Sequence, residues 1–118
     1  MTKKKEQEDL GVFSSEEERD MYRAISVIKT PLEAYIFFRD LCTPSELSAM
    51  QERWTIARIL DAEPELSYPK VRERTGASMA TIGRVARYLR KEYFRGYETI
   101  INRLKSMPSL KEIDKSLS

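Results

Sequence analysis

The chain has 118 residues, 41% hydrophobic and 34% charged, with 21 Lys or Arg against 19 Asp or Glu. That length points to one compact domain, and a core so thinly supplied is most easily completed by dimerisation. A single cysteine, Cys42, excludes an internal disulfide; the lack of histidine removes the usual zinc sites and histidine-based triads; no apolar run is long enough to span a membrane.

The opening "MTKKKEQEDLG" has lysines but no apolar run behind them, which is not the pattern of a signal peptide. The expectation is a cytoplasmic, metal-free chain. Its net charge of +2 conceals a division. Residues 1–66 carry 9 basic and 14 acidic side chains, residues 67–105 carry 10 and 3, and residues 106–118 carry 2 and 2. A basic block joined to an acidic one calls for a polyanion partner, the alternative being a solvated helical surface.

In chain order, residues 1–12 read as a disordered charged arm. "SSEEE" at 14–18 offers a serine cap and a first turn of carboxylates, which suit the positive end of a helix dipole. The helix is expected to run to about Lys29, with Met21, Tyr22, Ile25 and Ile28 at helical spacing. "TPLE" (30–33) and "TPSE" (43–46) each place threonine at the cap, proline at the first helical position and glutamate two residues on. Between them, Leu32, Tyr35, Ile36, Phe37, Phe38 and Leu41 make a helix apolar on nearly every side. In so small a domain it is expected to pack partly within the chain and partly against a second copy, the alternative being a central core helix. A third helix spans about 44–62 and stops before Pro64.

Ser67 caps a short helix with Pro69 in its first turn, and Gly76 supplies the positive φ that ends it. Ser78 caps the next helix, beginning at Met79. Val71, Ala77, Ile82, Val85 and Leu89 fall on the inner face of the resulting helix-turn-helix, assigned to 67–91. Arg72 departs from many such motifs, which place a small alanine there. Asp61, Glu63 and Glu65 around Pro64 read as a solvated loop. Gly96 breaks the chain before a C-terminal helix over 96–107, and 108–118 reads as a flexible tail.

The outer face of the second helix carries Met79, Ala80, Gly83, Arg84, Arg87 and Lys91. Small residues at its N-terminal end let the backbone approach bases, and the cations beyond reach phosphates. The candidate DNA contacts are Ser78, Met79, Ala80, Thr81, Gly83, Arg84, Arg87 and Lys91, with Met79 and Ala80 suited to a thymine methyl and Thr81, Arg84 and Arg87 to polar contacts. A protein-interaction module would carry apolar residues on that face. It remains the alternative, together with non-specific DNA binding. With no phosphate-binding glycine loop and no nucleophile paired with a base, an enzyme is not expected.

"LCTPSELSAMQERWTIARILDAE" and "SYPKVRERTGASMATIGRVARYL" resemble the tryptophan repressor family, and within it the YerC/YecD-type branch. The likeness covers about residues 30–105 and is most specific in "LCTPSE" and "TGASMATIGR". It implies an all-α, intertwined homodimer, residues 13–107 of this chain, whose helices over 13–62 interlock and whose paired reading heads enter successive major grooves of double-stranded DNA. It further implies a regulator, a repressor in the family's own pattern, and a corepressor pocket at Thr43, Arg53 and Arg84, the arginines bracketing an indole. The family's tryptophan binders have glycine directly after the second arginine and serine four residues beyond it. Here those positions are Val85 and Tyr88, and either fills the space of an indole. Tyr88 between the two arginines would act as a built-in ligand. The expectation is therefore no cofactor, with tryptophan or another small effector as the alternative.

Overall fold

A computed structural model describes residues 11–108. The arm over 1–12 and the tail over 108–118 lie outside those residues, save for Gly11 and Val12, which are helical, and Pro108. Six helices are defined: α1 (Glu16–Ser26), α2 (Pro31–Leu41), α3 (Pro44–Ala62), α4 (Tyr68–Thr75), α5 (Met79–Arg90) and α6 (Gly96–Lys105). Among the described residues there is no strand, so the fold is all-α.

Local chemistry sets the helix ends. The Ser15 hydroxyl accepts the Glu18 N–H at 3.1 Å, with Glu16, Glu17 and Glu18 filling the first turn of α1. This helix stops short of the expected Lys29. Thr30 precedes a proline and must be extended, at φ −133° and ψ 157°, so α1 closes early on tight bonds from Val27 N–H to Ala24 O and Ile28 N–H to Ile25 O. The Thr30 hydroxyl then accepts the Glu33 N–H at 3.1 Å, while the Glu33 carboxylate accepts the Lys29 N–H at 3.2 Å, a reciprocal cap around Pro31. Proline again occupies the first position of α3.

The chain divides into two compact units, Met1–Pro44 and Ser45–Ser118. In the first, neither α1 nor α2 contains a buried residue. Phe13 stacks on Tyr22 with centroids 5.6 Å apart, and the Arg39 guanidinium donates to the Tyr35 hydroxyl at 2.7 Å. These contacts leave most of the apolar face of α2 open: Leu32 is 66% exposed, Tyr35 57% and Ile36 52%.

The second unit holds the core. Ile56, Ala57 and Leu60 of α3 meet Val71 of α4, Ala77 of the turn, Ile82, Val85, Ala86 and Leu89 of α5, and Ile101 of α6. The four α5 residues recur at one-turn spacing, so a single face of that helix carries all of its buried residues. Ile82 is fully buried, and its truncation to alanine is expected to cost about 2–5 kcal/mol. Trp54, Ile59, Leu66, Tyr68 and Tyr97 close the margins.

Polar clips join the elements outside this core. Arg74 of α4 makes a two-pronged ion pair with Glu63, its second prong 3.2 Å long. Lys105 of α6 pairs with Asp61 at 2.9 Å, and Arg90 of α5 donates to the Pro64 carbonyl at 3.0 Å. The acidic stretch at the end of α3 and just beyond it is thus not merely solvated: Asp61 and Glu63 anchor α6 and α4, while Glu65 is exposed. The expected break at Gly96 is also shifted by one residue. Arg95 takes the left-handed conformation, φ 53°, and its guanidinium pairs with Glu98 at 2.9 Å.

Candidate nucleic-acid interface

Four local devices set α4 and the turn that joins it to α5. Ser67 caps α4, accepting the Lys70 N–H at 3.4 Å. At the other end Gly76 adopts φ 75° and donates its N–H to the Arg72 carbonyl at 2.8 Å, a left-handed stop that a side chain would strain. Thr75 braces the same corner: its hydroxyl donates to Val71 O at 2.8 Å and accepts the Ala77 N–H at 3.1 Å. Ser78 then starts α5, accepting the Thr81 N–H at 3.1 Å and donating to the Thr81 hydroxyl at 2.9 Å.

Because Val71, Ala77, Ile82, Val85 and Leu89 are all buried, the opposite face of α5 must look outward. Arg72, the departure from the common pattern, is exposed rather than part of the core. Ser78, Met79, Ala80, Arg84, Arg87 and Lys91 are exposed, while Thr81 and Gly83 are half-buried. A Cβ built on Gly83 meets nothing within 4 Å. Packing within the chain therefore does not require glycine there, although glycine weakens a helix interior. An outside surface that comes close to the α5 backbone would require it.

The cations of this face differ in their surroundings. Arg84 lies over the Tyr88 ring, its guanidinium carbon 4.4 Å from the centroid, with Arg87 at 5.9 Å from the same ring. Arg87 Nε also pairs with the Glu92 carboxylate at 2.7 Å. Lys91 closes α5, its N–H donating to Arg87 O at 2.8 Å. A shallow groove beside Gly83 is lined by Tyr68, Arg87, Arg90, Lys91 and Glu92, so positive charge continues from the helix into its flank. At the far end of α4, the side-chain hydrogen bonds of Arg74 hold the Glu63 carboxyl below the ordinary glutamate value against the opposing effect of desolvation, and raise Arg74 in turn.

The corepressor-pocket positions are divided between the two units: Thr43 belongs to the first, and Arg53, Arg84, Val85 and Tyr88 to the second. Val85 is 1% exposed and belongs to the core. The guanidinium closest over Tyr88 is that of Arg84, and its second guanidinium neighbour is Arg87. Ala86 in the core and the Arg87–Glu92 pair are not anticipated by the sequence pattern described above. Ala86 follows from the one-turn spacing of Ile82 and Leu89, whereas Glu92 lies past the helix end, where helical spacing gives no guide. Among the described residues no cluster of three or more potential metal-binding side chains occurs, and no helix is long and apolar enough to cross a membrane.

Comparison with known proteins places this geometry in a family. The chain is 38% identical to the protein YerC of Bacillus subtilis (strain 168) over 86 residues, 72% of this chain and 79% of that one. Its fold matches the crystal structure of a TrpR like protein from Eubacterium eligens ATCC 27750 with a TM-score of 0.69 and 33% identity, covering 81% of this chain and 96% of that one. A second solved structure, from Staphylococcus aureus, matches with a TM-score of 0.66 and 30% identity, covering 77% and 88%. The model of the Trp repressor protein family, a family of DNA-binding regulators, matches residues 16–105, and the chain belongs to that family.

Proposed function

We propose that this protein is a sequence-specific regulator of transcription that binds double-stranded DNA as a homodimer, one helix-turn-helix per half-site, in the cytoplasm. The observation that carries the reading is the outer face of α5: a fixed left-handed turn at Gly76, a capped N-terminus at Ser78, small or exposed residues through Gly83, then Arg84, Arg87 and Lys91. A capped N-terminus with small neighbours suits close approach to base edges, and the arginines suit phosphates or guanine. The basic excess of residues 67–105 supplies the long-range attraction.

Repression rather than activation is supported by the family alone. The site supports an effector-independent protein better than a tryptophan-gated one, because Val85 is core and Tyr88 already occupies the face of Arg84. Selection of genomic DNA by the purified protein, at two salt concentrations and with or without tryptophan, tests all of this together. An enriched palindromic site, indifferent to tryptophan, is the expected result. Salt-sensitive retention with no enriched site would leave a non-specific DNA binder, and no retention at either salt would favour a protein-interaction module.

A further inference from the structure

Tyr88 is more than a third exposed and one turn beyond Arg84 on the outer face of α5, so it is not a core residue. Side chains on a helix lean toward its N-terminus, which brings the Tyr88 ring back over Arg84. At 4.4 Å from the ring centroid, the guanidinium carbon sits in the attractive region above the π-face. This contact holds the guanidinium without an acceptor for the N–H groups along its edges. Among the described residues, no hydrogen bond or ion pair engages those edges, whereas Arg87, Arg74, Arg90 and Arg95 each direct theirs to an acidic side chain or a carbonyl.

From these contacts we infer that Tyr88 is a positioning residue, one that pre-orders Arg84 on the reading face with its edge donors free for a paired acceptor on DNA. A free arginine side chain loses much rotamer entropy on being fixed, and stacking removes part of that loss before DNA arrives. The acceptor has two parallel lone-pair sites, as the O6 and N7 edge of guanine or the oxygens of one phosphate do. This assignment rests on the DNA-binding reading above, and it does not require Tyr88 to touch DNA.

Binding of the full-length protein to its selected site, and to variants of that site, provides the test. Tyr88→Leu keeps apolar bulk but lacks the ring face, and it should weaken binding about two- to five-fold, the range of an exposed cation–π contact. Tyr88→Phe should retain most of the wild-type affinity. In an Arg84→Ala background, Tyr88→Leu should have no further effect. A guanine acceptor would show as relaxed preference at one base position in Arg84→Ala, and a phosphate acceptor as a uniform loss with a shallower salt slope. Wild-type affinity in Tyr88→Leu, or an equal loss with and without Arg84, overturns the positioning role while leaving the regulator reading intact. A wild-type protein that selects no DNA overturns both.

Discussion

At the scale of single residues, the two glycines of the reading head have opposite relations to folding. Gly76 sits at φ 75°, where a side chain is strained whatever space surrounds it. Gly76→Ala is expected to destabilise the protein by about 1–2 kcal/mol, seen as a lower denaturant midpoint at unchanged slope. Gly83 lies inside α5 with open space where a Cβ would stand, nothing coming within 4 Å, so alanine there should raise stability by about 0.5–1 kcal/mol. DNA affinity should fall in the same Gly83→Ala protein, because the added methyl group stands on the surface offered to the groove. Higher stability with unaltered affinity would remove Gly83 from the interface. Glu92 offers a second separation of stability from binding. Its carboxylate holds Arg87 Nε at 2.7 Å and so competes with phosphate for the same cation. Glu92→Gln should steepen the dependence of log K on log salt by up to about one, and Arg87→Ala should flatten it by a similar amount. Equal slopes in all three proteins would exclude Arg87 from the phosphate contacts.

At the scale of elements, the helix-turn-helix depends on clips that join it to the end of α3. Hydrogen bonding to Arg74 lowers the Glu63 pKa, so this pair contributes stability above the ordinary glutamate range and loses it as pH falls through the lowered value. Both side chains are well exposed, 48% for Arg74 and 46% for Glu63, so the contribution is modest. Thermal melts of wild type and Glu63→Gln should therefore differ near neutrality and converge on acidification below that value. Melting curves separated by a constant interval at every pH would show that the pair's charge is not what clips α4. This clip also marks where local pattern stops being informative. Helix starts are legible at Ser15, Thr30, Ser67 and Ser78, because a cap is decided by residues three apart in the chain. The inner face of α5 is legible because burial repeats at one-turn spacing. Glu63 with Arg74, Asp61 with Lys105 and Arg90 with Pro64 are separated by much longer stretches, and local pattern gives no account of which charges meet. The same limit applies to the reading face. Its position follows from periodicity, and so does the pairing of Arg84 with Tyr88 four residues on, but the Glu92 partner of Arg87 lies past the helix end and emerges only in three dimensions.

At the scale of the whole molecule, the two units are unequally provided with burial. Among the described residues the second encloses a core of ten, whereas α1 and α2 enclose none. An α2 surface that exposes Leu32, Tyr35 and Ile36 on one side and Leu41 on another, each about half exposed or more, is a large apolar area for a monomer in water. A second copy of the chain covers it in the proposed homodimer, and the stability of such a dimer must depend on protein concentration. The apparent melting temperature should therefore rise with concentration for the wild type. Burying an isoleucine contributes about 1.5–3 kcal/mol. Ile36→Glu removes that contribution and adds a charge needing solvation, so the dimer dissociation constant should rise at least about ten-fold. Sedimentation across a concentration series measures this directly. Affinity for a palindromic site should fall in Ile36→Glu by far more than affinity for a half-site, since each reading head is built wholly within one second unit. A wild type that remains monomeric at every concentration, with α1 and α2 still helical, would refute the homodimer. The α2 face would then need another partner, and DNA recognition would have to proceed one half-site at a time.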